Sequence, residues 1–314
     1  MKKKVVVLGG GTGMSSLLRG LKEFPIDITT IVSVCDDGKS TGRLRNEFNI
    51  PAVGDVRRIL IALSETEPLV AQLLNYRFKT TSDLDGHTVG NLLLTASTNI
   101  TGNLSDGIEA LGTVLNLKGT VLPFTEDNVI LMAKMQDGSI VEGEHNITED
   151  SRKIKEVFYK EKPVINEKVI KSIKNADLII FSMGSLYTSI LPNIIVKEVI
   201  DAIDESNAQI VYTCNLVTQP GESDDFKVSD HIKTLNHYLG KRKIEIVIAN
   251  NGTIDKQMAL KYANLEQKDP VILDIKETKK QNVKIISDNL VVVENNLLRH
   301  DALKLGFHIF SLLI

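Results

Sequence analysis

Cysteine is scarce in this chain: among 314 residues there are two, Cys35 and Cys214. They lie too far apart in sequence to suggest a disulfide framework. Neither sits in a Cys-x-x-Cys or Cys/His spacing that would hold zinc. A reduced, cytoplasmic setting is expected. Strong charge of one sign is also missing. The net charge is −3, so no overall positive field draws in nucleic acid, and the basic runs at 2–4 and 241–243 read as solvated surface. No segment nears the ~20 apolar residues of a membrane span. The first lysines and the apolar run after them mimic a signal peptide, but the run is too short and glycines follow it. Repeats, low-complexity tracts and Pro/Gly linkers are lacking too, which points to one continuous domain over residues 1–314.

What is present is alternation. Runs at 4–8, 28–34, 177–181, 209–213 and 244–249 are almost continuous in Val, Ile and Leu, as strands buried on both faces are. Helical spacing at 15–23, 55–63, 69–78, 88–98, 191–203, 228–239 and 255–262 lies between them. This predicts a Rossmann-like α/β fold, a doubly wound and mostly parallel sheet with helices on both faces. Residues 129–135 and 139–144 flank Gln136-Asp137-Gly138, a hairpin signal, so a small β-hairpin embellishment is expected over about 122–149. Short strands are expected at 283–286 and 290–293. A terminal helix over 301–313 should pack on the sheet. Its Phe307, Phe310, Leu312 and Leu313 read as core first and as a homodimer surface second.

The chemistry-bearing residues sit where these strands end. Gly9-Gly10-Gly11-Thr12-Gly13 joins a strand to a helix. Four glycines let a phosphate approach the backbone, and the helix start offers free N–H groups. The spacing is neither the dinucleotide fingerprint nor a Walker loop. After the next apolar run comes Cys35-Asp36-Asp37-Gly38-Lys39-Ser40-Thr41-Gly42. Ionised acids are expensive to bury unpaired. Asp36 is placed as a ribose-binding acid of an NAD site would be. Asp36 and Asp37 can also hold Mg²⁺, or merely cap a turn or helix. In Gly54-Asp55-Val56-Arg57-Arg58, Asp55 reads as a helix N-cap, and Arg57 or Arg58 as able to reach a phosphate. His87, Gly90 and Asn91 suggest close packing against a neighbour or a ligand. Gly184, Ser185, Leu186, Tyr187 and Thr188 leave an apolar strand in a second anion-binding geometry. Asn215, Thr218 and Gln219, after another strand, supply neutral hydrogen bonds suited to a sugar or base edge.

Taken together and in order, Gly-Gly-Gly-Thr-Gly, Asp-Asp-Gly-Lys-Ser-Thr-Gly, Gly-Asp-Val-Arg-Arg, His-Thr-Val-Gly-Asn, Gly-Ser-Leu-Tyr-Thr-Ser-Ile-Leu-Pro-Asn and Cys-Asn-Leu-Val-Thr-Gln-Pro-Gly-Glu resemble the gluconeogenesis-factor (YvcK-like) family. That family is related to the 2-phospholactate transferases of the CofD-like superfamily. The resemblance covers essentially the whole chain. It implies a cytosolic regulator that binds a UDP-sugar such as UDP-N-acetylglucosamine, is linked to cell shape and wall synthesis during gluconeogenic growth, and signals through a protein partner. It further implies that Tyr262 and Arg299 contact the UDP-sugar, where a ring can stack on uracil and a guanidinium can grip a diphosphate. The diphosphate would lie at residues 11–13 and 184–188. The transferase branch implies a rival, Mg²⁺-assisted passage of a phosphate-containing group from a nucleoside diphosphate carrier, with Asp36 and Asp37 as the candidate catalytic acids. NAD binding ranks third, because the fingerprint spacing fails.

Overall fold

The computed structural model describes residues 2–314. Its centre is a seven-stranded sheet built from β1 (Lys4–Gly9), β2 (Asp27–Val32), β3 (Thr120–Pro123), β7 (Leu178–Phe181), β8 (Gln209–Thr213), β9 (Ile246–Asn250) and β10 (Lys284–Asp288). The spatial order is β10-β9-β8-β7-β1-β2-β3, and all six pairings are parallel. Val5, Val7 and Leu8 of β1 and all four residues of β7 are fully buried. That explains their unbroken β-branched and aliphatic character: both faces of a central parallel strand are covered. From β1 the chain winds outward through β2 to β3. It then returns to the other side of β1 at β7 and winds the opposite way. The order therefore reverses between β1 and β7, whose carboxyl ends open a crevice.

Two smaller antiparallel sheets flank this one. β4 (Leu131–Met135) pairs with β5 (Ile140–Glu142) across the expected turn at Asp137-Gly138, and on its other side with β6 (Ile154–Tyr159). The embellishment thus reaches residue 159, beyond the expected 149, while Leu122 and Pro123 belong to the main sheet. β11 (Val291–Glu294) and β12 (Leu297–His300) form a ribbon near the crevice.

The helices are α1 (Gly11–Leu21), α2 (Lys39–Phe48), α3 (Gly54–Leu63), α4 (Pro68–Asn75), α5 (Val89–Thr101), α6 (Leu104–Val114), α7 (Glu144–Glu149), α8 (Glu167–Lys174), α9 (Lys197–Glu205), α10 (Val228–Tyr238), α11 (Lys256–Glu266), α12 (Ile275–Lys279) and α13 (Ala302–Phe310). Two expectations need correction. The helix foreseen at 191–203 is broken. A single π-turn, Leu186–Ile190, runs into a short 3₁₀ turn, Leu191–Asn193, and α9 begins only at Lys197. Pro192 lies in the first turn of the 3₁₀ segment, where a missing N–H is tolerated. The terminal helix α13 lies on α1 rather than directly on the sheet. A Cβ on Gly20 would stand 1.8 Å from the carbonyl oxygen of Ala302, so the two helices touch backbone to backbone there. Phe310 stacks on Phe24. Leu312 and Leu313 also pack against the core, which leaves Phe307 facing outward. Among the described residues no helix is long and apolar enough to cross a membrane.

Candidate functional site

The crevice between β1 and β7 holds a cavity of about 370 Å³. Its walls are residues 10–13 after β1, 183–185 after β7 and 215–219 after β8, with Ser16, Ser189, Lys268 and residues 298–300 of β12. Gly10 occupies the N-cap position of α1 with no side chain capping it. The Gly11 N–H goes to the Asp55 carboxylate, which leaves Thr12 and Gly13 of the first turn, with the positive end of the helix, on the cavity wall. Glycine is required at 13, where a Cβ would lie 2.2 Å from the carbonyl oxygen of Met183.

Asp55 does not cap its own helix. The N-cap position of α3 is Val53, and the Asp55 carboxylate instead lies against the glycine loop, with Oδ2 2.6 Å from where a Gly10 Cβ would be. It accepts from the Gly11 N–H and from Arg58 Nη1 at 2.6 Å. Burial pushes its carboxyl up, and Arg58 opposes that shift.

The loop after β7 also differs from expectation. Asn215 locks the Gly184 peptide, accepting from its N–H at 2.9 Å and donating to its carbonyl at 2.7 Å. Glu222, only 4% exposed, accepts from the backbone N–H of Tyr187 at 2.9 Å, from Gln219 Nε2 at 2.9 Å and from Thr188 Oγ1 at 3.2 Å. Ser185 Oγ is 2.9 Å from the same carboxylate and 2.7 Å from Gln219 Oε1. The anion-binding turn is therefore filled by an anion of the chain itself. Burial pushes the Glu222 carboxyl up, and these donors hold it down. Gly184 and Ser185 line the cavity, whereas Leu186, Tyr187 and Thr188 are buried away from it.

Arg299 lines the cavity and donates to the carbonyl of Leu298 at 3.0 Å. Among the described residues it forms no ion pair. Tyr262 is buried outside the cavity, and its hydroxyl accepts from the N–H of Leu298 at 2.9 Å. It supports the strand that carries Arg299. His300 is bonded to the carbonyl of Cys214 at 3.0 Å, and burial drops its imidazole to about 4. Thr218 is tied to Asp269 through both its backbone N–H and its hydroxyl. Lys268, which no sequence pattern marked, adds a second cation, 2.8 Å from Glu266.

Asp36, Asp37, Lys39, Ser40, His87 and Asn91 do not line this cavity. Asp36 closes a turn by accepting from the Gly38 N–H at 3.0 Å. Asp37 accepts from the N–H of His145 at 2.8 Å, at the start of α7. Lys39 is exposed with a positive φ of 39°. Ser40 Oγ is bonded to His87 Nδ1 at 3.0 Å and accepts from Asn91 Nδ2 at 3.2 Å, all three residues being buried. Arg45, unmarked by any motif, fastens this segment by donating to the carbonyls of Cys35 and Asp36 at 2.9 and 3.0 Å and to Asn128 Oδ1. Among the described residues no group of three His, Cys, Asp or Glu side chains is placed to hold a metal. Asp36 and Asp37 each give one oxygen to a separate backbone N–H. The acids do gather nearby. Glu144, half-buried at the start of α7, has its carboxyl pushed up to about 8 by burial, with Asp36, Asp55 and Glu222 adding to the shift.

The family model for 2-phospho-L-lactate transferase CofD matches residues 5–291. The gluconeogenesis factor of Bacillus subtilis is 44% identical over 313 residues, covering 99% of this chain and 98% of that protein. The gluconeogenesis factor of Halalkalibacterium halodurans is 46% identical over 307 residues, covering 97% and 95%. A crystal structure of a Bacillus halodurans protein, 45% identical, superposes with a TM-score of 0.96 over 99% of this chain and 100% of that one.

Proposed function

The chain belongs to the gluconeogenesis-factor family, within the CofD-like superfamily, and from that premise we propose that it is a regulator that binds a nucleotide sugar of the UDP-N-acetylglucosamine type. One observation carries this reading: the cavity lining contains no Asp or Glu, but two cations, Lys268 and Arg299, and the backbone of Thr12 and Gly13 in the first turn of α1. Such a lining suits a diphosphate. It offers no carboxylate to accept a proton from a reacting hydroxyl. Asn215, Thr218 and Gln219 supply neutral hydrogen bonds for a sugar or a base edge. Tyr262 acts by positioning Arg299. In the cytoplasm, the bound state would be passed to a protein partner and so couple sugar-nucleotide supply to cell shape and wall synthesis on gluconeogenic carbon.

Calorimetry tests this. UDP-N-acetylglucosamine should bind far more tightly than UMP or N-acetylglucosamine, and Arg299→Ala should weaken it about 10- to 100-fold, the value of a charge-assisted pair. Equal affinity for UMP, or undiminished binding by the variant, would refute the reading. A second reading, transfer of a phosphate-containing group, is favoured by Glu144. A carboxyl held near 8 keeps a proton at neutral pH and can donate it. Turnover of a nucleoside diphosphate ester that disappears in Glu144→Gln would establish it.

A further inference from the structure

Arg57 is 6% exposed, and its Nε has no hydrogen-bond partner. Among the described residues its guanidinium forms no ion pair. A buried donor without a partner is costly, so the surroundings of this Nε are informative. Its side chain runs across the start of α5, where a Cβ on Gly90 would meet Arg57 Cδ at 2.7 Å. One residue on, Asn91 is 3% exposed, and its Oδ1 also lacks a partner.

Three helices begin around this pair. The start of α2 reaches α5 through Ser40 and Asn91. It reaches α3 through Thr41, whose Oγ1 is 2.6 Å from a Cβ position on Gly54. Neither α2 nor α3 has a side-chain cap. The start of α5 is capped by Thr88, whose hydroxyl accepts the Asn91 N–H at 3.3 Å, so the open first turns beside Arg57 are those of α2 and α3. Arginines surround it as well. Arg77 donates to the carbonyl of Gly86, and Arg43 to those of Asp83 and Asp85, so neither is neutralised by a carboxylate. Arg58 and Arg77, together with burial, depress the Arg57 pKa to about 10. Neither nearby carboxylate forms an ion pair with Arg57: Asp55 has Arg58 and the Gly11 N–H, and Asp36 gives Oδ1 to the Gly38 N–H while its Oδ2 lies 2.8 Å from a Cβ position on Gly54, at the edge of the site.

We propose that Arg57, the Asn91 side chain and the first turns of α2 and α3 form a second binding site, separate from the β1–β7 cavity, for a phosphate group. Hydrogen phosphate matches both orphaned atoms. Its oxygens accept from Arg57 Nε and the helix N–H groups, and its one P–O–H donates to Asn91 Oδ1. Sulfate has the same size and charge but no donor at neutral pH, and fits less well.

Titration of the whole chain at pH 7 in chloride buffer, with inorganic phosphate and with sulfate, tests this. Phosphate binding should survive in Arg299→Ala, weaken at least about tenfold in Arg57→Met, and exceed sulfate binding. Ligand-free Arg57→Met should melt no lower than the parent chain, because it loses an unsatisfied buried donor. If that variant does not fold, Asn91→Asp, nearly isosteric and of like charge to phosphate, should abolish binding instead. Phosphate binding should also persist when UDP-N-acetylglucosamine is present. Three results would overturn the proposal: no saturable phosphate binding, binding lost in Arg299→Ala but kept in Arg57→Met, or binding kept in Asn91→Asp. Competition between phosphate and the nucleotide sugar would show that the sugar's own phosphate fills the position, and would overturn a separate site. Failure of nucleotide-sugar binding alone leaves these phosphate readings unaffected.

Discussion

Glu222 accepts the backbone N–H of Tyr187 at 2.9 Å, and so the turn after β7 is held shut around a carboxylate of the chain. This contact joins the loops that follow β7 and β8 and fixes two walls of the cavity. Glu222→Ala would leave the Tyr187 N–H and the side chains of Thr188 and Gln219 without their acceptor. It should cost about 3 kcal/mol, against about 1 for Glu222→Gln, which keeps one acceptor oxygen. Urea unfolding of both variants measures this, and a loss below about 1 kcal/mol for the alanine variant would contradict it.

Tyr262→Phe removes only the hydroxyl that accepts from the Leu298 N–H. A buried N–H left without a partner should cost about 1–3 kcal/mol. Because the next residue is Arg299, nucleotide-sugar affinity should also fall several-fold, by less than in Arg299→Ala. Combined with Arg299→Ala, the tyrosine change should have little further effect on binding, as expected of residues that act through one another. Strict additivity in calorimetry would rule out the positioning role.

Stability should fall as pH rises through the neutral range, and Glu144 is the cause. Its carboxyl sits at about 8 in the folded chain against an ordinary 4.5. The native state therefore holds the proton more tightly than the unfolded chain. The stabilisation is full below about 4.5 and is lost as pH climbs toward 8. Solvent screening of a half-buried group limits the change to roughly 1–2 kcal/mol. Denaturant melts at pH 5.5 and 8.5 should show this difference in the parent chain and a reduced one in Glu144→Gln. Equal pH slopes in the two proteins would exclude it.

Gly20→Ala places a methyl group 1.8 Å from the carbonyl oxygen of Ala302. Helices α1 and α13 would have to separate, at a cost of about 1–3 kcal/mol. Since α1 begins at the cavity, ligand affinity should change as well. A melting temperature within a degree of the parent's would count against so close a crossing.

The central strands were legible because one local property, continuous burial, leaves a continuous Val/Ile/Leu record. The glycine loop was legible as a strand-to-helix turn, whereas Arg299 was marked only by the family resemblance. The roles of the acids were not. An Asp at a helix start satisfies the local rule for a cap, and only the distant glycine loop shows why Asp55 turns elsewhere. Asp36 and Asp37 read as ligand groups because their partners at Gly38 and His145 are ordinary backbone amides, which no motif marks. Glu222 stood at the end of a quoted motif, yet nothing local said that it would reach Tyr187. Arg45 and Lys268 carry no pattern at all, and their roles come wholly from tertiary packing.

The pairing of Val5 with Leu178 has a kinetic consequence. The cavity lies between neighbours in space that are remote along the chain, and β12 adds a wall from farther still. Closing such long loops costs entropy before any contact repays it, so pairings of this kind form slowly. Neighbours closer in sequence, such as β1 with β2 and β7 with β8, can pair early, while the ligand cavity exists only once the whole winding is complete. Occupancy by nucleotide sugar would then be a signature of finished molecules, and the ligand would lend its binding energy to the entire sheet by mass action.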